Sequence, residues 1–489
     1  MPTDGDAACA NGGCGEPLLL TPYLQAGKLA EARNLSAVDA AALGLPASAG
    51  ARASPMHAGF LAVQGTSALN QMYFNYWPAA SGDPAAPLIL WLQGGPGASS
   101  LFGNWVEIGP YGVGATGKAY ARNETWNEKY ALLFVDQPVG TGYSYSEGGF
   151  DNFATSQNEI GLQLYEVLLQ FFQLFPQHLS NDFFVAGESY AGKYVPTIAY
   201  RIHVENARAA ATGNAVLPLA GISMGDPMSD PALQMMIWTT NLYQGGLVDS
   251  RQAQVVAGVL GAAKAKHDAG DYTGAFPLMN SLWCDCPCPA GGSPSLFQNM
   301  TGLQFPLDTR VTEAPAALGY FGPFIDTPAA RRATHVGARP FGGNGTQVYK
   351  ILGYGSGEVM RDSALPFLPT LLQHYKFLIY NGVDDALLPP ITGEALLTQA
   401  AANATWSGGP AFLAAPRRVW KVAPSDAEVA GYVRVLRGSE GYNGGAAGAY
   451  FAMVAVRGSG HLAPFNQPAR CKSMIEQFVS GGDFGTAGR

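Results

Sequence analysis

Phe183-Phe184-Val185-Ala186-Gly187-Glu188-Ser189-Tyr190-Ala191-Gly192 is an apolar run that halts at a glycine and delivers one serine ahead of a helix-forming stretch. Physically, it reads as a buried strand ending in a tight turn that lifts the serine hydroxyl over the edge of a sheet. Gly187, Ala191 and Gly192 are small, as required where the strand and helix backbones nearly touch. The pattern departs from Gly-x-Ser-x-Gly at Ala191, with Gly192 directly after it. Many chains contain such a match by chance, so Ser189 gains meaning only from partners elsewhere.

Working outward, 88–92 (Leu-Ile-Leu-Trp-Leu) and 132–135 are continuous apolar runs, as strands covered on both faces should be. Segments 58–63 and 71–77 read as a hairpin at a sheet edge. Apolar residues recur at helical spacing over 152–175 until Pro176 closes the element, a helix is expected over 191–206, and a strand over 219–223. Strands alternating with helices predict an α/β fold, with a mostly parallel central sheet, right-handed crossovers and flanking helices. The alternation breaks after Asp226. From 226 to 333 the chain is rich in Gly and Pro and reads as an irregular insertion capping the sheet; strands resume at 377–381 and 450–456, before a terminal helix over 468–479. The expected division is a core of 18–225 and 334–484, an inserted cap of 226–333 and an N-terminal extension of 1–17, with 18–28 a surface lead-in.

The 489 residues are 47% apolar and only 13% charged, which fits a packed globular protein and excludes a disordered or fibrous one. The net charge of −8, without a basic cluster, argues against nucleic acid or an anionic membrane surface as partner. No apolar run reaches the roughly 18 residues that a membrane span needs. Residues 1–15 show neither the basic start nor the apolar centre of a signal peptide. Against that stand five Asn-x-Ser/Thr sequons, at Asn34, Asn123, Asn299, Asn344 and Asn403. Together they predict a secretory-pathway protein, vacuolar, lysosomal or extracellular. Six cysteines suit disulfides, but Cys284, Cys286 and Cys288 cannot pair neatly among themselves, so longer-range bridges are expected. A zinc site would lack a fourth ligand at normal spacing.

A serine nucleophile needs a base, and the base needs an orienting acid. The strand at 377–381 runs into Gly382-Val383-Asp384-Asp385, and the strand at 450–456 into Gly458-Ser459-Gly460-His461. Both put a triad-type residue just past a strand's C-terminal end, where open α/β sheets bind their ligands. The order Ser, Asp, His is that of the α/β-hydrolase fold. The strand at 88–92 leads into Gln93-Gly94-Gly95-Pro96-Gly97-Ala98-Ser99-Ser100, a glycine-rich turn able to aim backbone N–H groups at an anion.

These residues also resemble a known family. Trp91 to Ser100, then Asp136-Gln137-Pro138-Val139-Gly140-Thr141-Gly142-Tyr143-Ser144, then Gly187-Glu188-Ser189-Tyr190-Ala191-Gly192, are similar to the serine carboxypeptidases, and the likeness runs over 18–484. Leu20-Thr21-Pro22-Tyr23, Ala191-Gly192-Lys193-Tyr194-Val195-Pro196 and Ser425-Asp426-Ala427-Glu428-Val429-Ala430-Gly431-Tyr432 resemble the vitellogenic-like branch most. By position, the resemblance implies Ser189 as nucleophile, His461 as general base and acid, and Asp385 rather than Asp384 as the orienting carboxylate. It implies the N–H groups of Gly95 and Tyr190 as oxyanion hole, and Gln93, Glu107 and Glu188 as the site for the substrate's free carboxylate. Many members have asparagine at the position of Gln93, and many have a disulfide cysteine at that of Ala98, so their bridge pattern does not transfer.

The expected function is therefore removal of C-terminal amino acids from peptides through an acyl-enzyme, with no metal or organic cofactor. Two glutamates facing a third carboxylate must share protons, so activity is expected to favour acid. Two alternatives use the same fold: an acyltransferase passing the acyl group to an alcohol, and a non-catalytic binding protein. The sequence leaves the oligomeric state open, a homodimer included.

Overall fold

The computed structural model describes residues 9, 13–46, 56–64, 70–213, 216–283, 294–361, 363–437 and 450–485. In chain order its strands are β1 (His57–Val63), β2 (Asn70–Trp77), β3 (Leu88–Leu92), β4 (Tyr111–Val113), β5 (Ala119–Ala121), β6 (Ala131–Val135), β7 (Tyr145–Ser146), β8 (Phe183–Glu188), β9 (Leu219–Gly225), β10 (Lys376–Gly382), β11 (Arg418–Trp420), β12 (Gly431–Arg437) and β13 (Tyr450–Val456). The main sheet runs β1-β2-β6-β3-β8-β9-β10-β13-β12-β11, with β7 against β2 and β4-β5 a separate pair. Its centre, from β6 to β13, is parallel. Antiparallel strands finish both edges: the β1-β2 hairpin on one side, β12 and β11 on the other.

Alternation along the buried strands splits the core into two faces. Leu88, Leu90 and Leu92 of β3 join Leu133 and Val185 under the helices Gln157–Leu174 and Ala191–Thr212. Ile89 and Trp91 point the other way, with Phe134, Phe184 and Tyr380, against Met474 and Phe478 of the helix Pro468–Ser480. Each such large side chain contributes about 1.5–3 kcal/mol by leaving water. This double cover is why the central strands read as unbroken apolar runs.

Two expectations need correction. The stretch read as irregular after Asp226 is largely helical: Pro231–Gln244, Ser250–Asp268 and Tyr272–Asn280 are helices. Asp230, Asp249 and Asp271 cap them, accepting hydrogen bonds from Leu233 N, Gln252 N and Gly274 N. The glycines and prolines there sit mainly in connectors and first turns, and further short helices continue to His374 before β10. The stretch read as a surface lead-in is anchored instead, because Leu20 is fully buried and Leu20 N donates to Phe60 O of β1 at 2.9 Å. Cys9 and Cys14 form a short-range disulfide and Cys471 is a buried free thiol, while Cys284, Cys286 and Cys288 lie outside the described residues. No helix among the described residues is long and apolar enough to cross a membrane.

Candidate active site

Register brings distant residues to one edge. Leu92 pairs with Gly187, Glu188 with Gly225, Gly225 with Tyr380, and Gly382 with Val456. The chain leaving β3, β8, β9, β10 and β13 therefore emerges side by side, carrying Gln93, Ser189, Asp226, Asp385 and His461.

Ser189 has φ 64°, a left-handed conformation costing roughly 1–3 kcal/mol for a residue with a side chain. The neighbours hold it there. Ser189 N donates to Gly225 O at 2.9 Å, and Ser189 O accepts from Gly192 N at 2.8 Å and Met228 N at 2.9 Å. A Cβ on Gly187 would lie 2.6 Å from Leu92 O, and one on Gly192 would lie 2.7 Å from Met228 N, so the small residues of the motif are steric requirements. Gly94 closes the arrangement from β3: a Cβ there would stand 2.5 Å from Tyr190 N and 2.7 Å from Ser189 Cβ. Gly95, at φ 107°, then turns the glycine-rich loop, and a Cβ on it would stand 2.8 Å from Ala98 N.

His461 Nδ1 meets Asp385 Oδ2 at 2.7 Å, both side chains almost fully buried. The second oxygen, Asp385 Oδ1, accepts from Leu387 N at 2.8 Å. Asp384 points elsewhere, to Arg310 Nε at 3.6 Å. Among the described residues no hydrogen bond joins Ser189 Oγ to the imidazole, a looseness common in serine hydrolases before substrate tightens the site. A strap from the helical insertion fixes both loops. His461 N donates to Leu307 O at 2.6 Å, Thr309 N to Asp384 O at 2.9 Å, and Ala386 N to Pro306 O at 3.2 Å. Arg310 adds bonds to Asp308 and to Gly458 O.

Beside the serine is a polar wall. Gln93 Oε1 accepts from Trp91 Nε1 at 2.9 Å, which aims Gln93 Nε2 at Glu188 Oε1, 2.8 Å away. Glu107 lies in a single wide π-helical turn, Gly103–Ile108, that sits directly on Trp91: a Cβ on Gly103 would fall 2.1 Å from Trp91 Nε1. Arg122 clasps that turn through the carbonyls of Trp105 and Glu107 and ties it to β4 through Tyr111 O. Both oxygens of Glu107 and Oε2 of Glu188 are buried with no hydrogen-bond partner among the described residues. Burial raises the Glu107 carboxyl to about 7, outweighing the opposing pull of Glu188, His461, Arg122 and Gln93. Glu188 is held well above the ordinary carboxylate range, by burial first and then by the Glu107 charge.

Of the eight residues singled out in the sequence, the structure joins His461 to Asp385 and Gln93 to Glu188 by hydrogen bonds, and sets Gly94, the neighbour of Gly95, against Ser189 and Tyr190. It adds others. Asp136 accepts from Ser99 Oγ at 2.5 Å and Tyr143 N at 2.9 Å, tying the glycine-rich turn to the loop after β6. Lys193 and Glu358 form a fully buried ion pair at 3.2 Å, and Glu358 also accepts from the Tyr190 hydroxyl. Asp226, the residue at which the strand–helix alternation breaks, lies against Asp385 and His461. The signal for Asp136 and Asp226 was present, since each is an acid immediately after a buried strand.

A family model described as serine carboxypeptidase matches residues 46–481. The chain is 37% identical over 482 residues to the "Probable serine carboxypeptidase CPVL" of Pongo abelii, covering 98% of this chain and 92% of the relative. It is 32% identical to the "Vitellogenic carboxypeptidase" of Aedes aegypti, covering 96% and 91%. Among solved structures, the prohormone-processing carboxypeptidase Kex1 of Saccharomyces cerevisiae superposes with a TM-score of 0.72 at 21% identity, covering 93% of this chain and 98% of that one. At that identity the superposition speaks to the fold, which is that of the α/β hydrolases.

Proposed function

The chain belongs to the serine carboxypeptidase family, and from that premise we propose that Ser189, His461 and Asp385 release the C-terminal residue of peptides through an acyl-enzyme. The observation that carries the exopeptidase reading is the buried wall of Gln93, Glu107 and Glu188, with three carboxylate oxygens left unpartnered beside the serine. Buried polar atoms without partners are costly, and a substrate carboxylate that shares their protons satisfies them. A peptide with a free C-terminus fits this wall, whereas an internal peptide bond has no charge to offer it.

In the proposed cycle, Ser189 Oγ attacks the last peptide carbonyl while His461 Nε2 takes its proton, and the imidazolium is held by Asp385 Oδ2. The developing oxyanion takes hydrogen bonds from Gly95 N–H and Tyr190 N–H, each worth about 3 kcal/mol in comparable sites. His461 then protonates the leaving amino group, the peptide bond breaks, and the free amino acid departs. Water, deprotonated by His461, attacks the acyl-enzyme and returns Ser189 to its starting state. The raised carboxyls of Glu107 and Glu188 support an acidic working range. The helical insertion after Asp226 is the proposed source of the pocket for the departing side chain.

The same reading assigns the protein to the secretory pathway, in a vacuole or lysosome or outside the cell. In support, Asn34, Asn123, Asn299 and Asn403 are exposed and Asn344 is half-exposed, as glycan acceptors must be. The test of function is product analysis with a blocked dipeptide, alone and with an excess of an alcohol acceptor. Release of the free C-terminal amino acid is expected in both. An ester of the alcohol as the sole product would assign acyl transfer instead, and failure of a fluorophosphonate probe to label Ser189 would assign a binding protein.

A further inference from the structure

We propose that Asp226 is a positioning residue that carries a proton and donates it in a hydrogen bond to Asp385, so that the acid behind His461 is a carboxylic acid–carboxylate pair sharing one negative charge. This deepens the reading of Ser189, His461 and Asp385 as the catalytic triad and rests on it. One oxygen from each of Asp226 and Asp385 and a ring nitrogen of His461 lie within 4.8 Å of one another, and all three residues are buried. Asp226 reaches this position because φ there is 40°, which turns the chain sharply after β9 and sends the side chain back over the end of β10. The turn is fixed by Asp226 N donating to Tyr380 O at 2.7 Å.

The hydrogen-bond inventory decides which carboxyl holds the proton. Both oxygens of Asp385 already accept N–H groups, from His461 and Leu387, and an oxygen that accepts on both sides is the ionised one. Asp226 Oδ1 accepts from Gly382 N at 2.8 Å, which leaves Oδ2 buried without a partner among the described residues. A proton on Oδ2 resolves that position, and the neighbouring Asp385 carboxylate is the acceptor we assign to it. Two ionised carboxylates would repel each other in this buried site, where His461 is the cationic partner facing them among the described residues. Burial first, and the Asp385 charge second, hold the Asp226 carboxyl well above the ordinary range. The other titratable groups near it push the same way or stay neutral. Glu107 adds negative charge where it is ionised, Glu188 is held well above the ordinary carboxylate range by burial, and Tyr380 and Cys471 are kept in their neutral forms by burial. A shared negative charge leaves Asp385 anchored from behind and facing Nδ1, which fixes the tautomer that presents Nε2 to Ser189.

The test compares wild type, Asp226→Asn, Asp226→Leu and Ser189→Ala by the rate of fluorophosphonate labelling across a pH series, with the labelled residue identified by mass spectrometry. Asparagine offers an N–H donor to Asp385 and an oxygen to Gly382 N while remaining neutral, as the protonated acid does. Asp226→Asn is therefore expected to label within about tenfold of wild type and to keep the position of the acid limb, with Asp226→Leu slower than Asp226→Asn by about tenfold or more. Infrared difference spectra, wild type minus Asp226→Asn, are expected to contain the carbonyl band of a protonated carboxylic acid. This readout holds even where the leucine variant does not fold. A loss beyond about tenfold in Asp226→Asn, an acid limb moved by about one pH unit, or the loss of an ionised-carboxylate band in its place overturns the inference, because each means that Asp226 carried charge. Absence of label on Ser189 in wild type overturns the triad reading instead.

Discussion

Raising the pH should switch off recognition of the substrate's C-terminus before it impairs the nucleophile. Glu107, raised to about 7 by burial, is protonated below that pH and can donate to an incoming carboxylate; above it, the group ionises and faces the substrate as a like charge. Two unit charges about 4 Å apart interact by about 4 kcal/mol at an effective dielectric of about 20, and a lost hydrogen bond to a charged group is worth about 1.5–3 kcal/mol. Taking the smaller figure, kcat/KM for a blocked dipeptide should fall about 10- to 150-fold between pH 5.5 and 8.5, mostly through KM. The amidated dipeptide brings no carboxylate and should start from a low rate without that fall. Glu107→Gln is neutral at every pH, so its plateau should extend past pH 7 until Glu188, which is also raised, begins to ionise. The assay is initial-rate release of the C-terminal residue for the two substrates and two enzymes. A common alkaline limb for the acid and amide substrates, or a limb that stays near pH 7 in Glu107→Gln, would refute the argument.

Gly94→Ala puts a Cβ 2.5 Å from Tyr190 N and should lower kcat by about 100- to 1000-fold, the cost of one displaced oxyanion donor, with a stability loss of about 1–3 kcal/mol in urea unfolding from the overpacked backbone. Lys193→Met strands the Glu358 carboxylate, which accepts from Lys193 in a fully buried pair; urea unfolding should show a loss of about 3–5 kcal/mol, largely recovered when Glu358→Gln is added. Asp136 has a folded-state pKa raised by burial to about 6, so its folded form holds a proton that the unfolded chain has released. The stability of wild type relative to Asp136→Asn should accordingly drop by up to about 3 kcal/mol as pH rises from about 4 to about 6; an unchanged difference over that window would contradict the assignment.

What the sequence reveals follows from how local each signal is. Ser189, Asp385 and His461 are legible because each follows an apolar strand and a glycine within a few residues, and strand ends collect along one edge. Glu107 is legible only through family resemblance, since its burial depends on Gly103 resting on Trp91, a contact between separate elements. Asp226 stands in an equally readable place, yet its meaning lies in a pairing with Asp385 across β9 and β10 that only the register supplies. The glycines and prolines of the helical insertion mask its helices, whose sequence signal is the capping residues Asp230, Asp249 and Asp271. β12, with Gly-Tyr-Val-Arg-Val-Leu-Arg, had strand-type alternation available, but its partner β11 has only three residues, two of them exposed, and gives no period to read.

The most direct test is release of the C-terminal amino acid from a blocked dipeptide at about pH 5.5 by the purified protein and by Ser189→Ala, since a missing nucleophile removes about six orders of magnitude in comparable triads. The account predicts stoichiometric release by wild type, none above background by the variant, and no cleavage of internal bonds in a longer peptide. Release by Ser189→Ala at a rate comparable to wild type would contradict it.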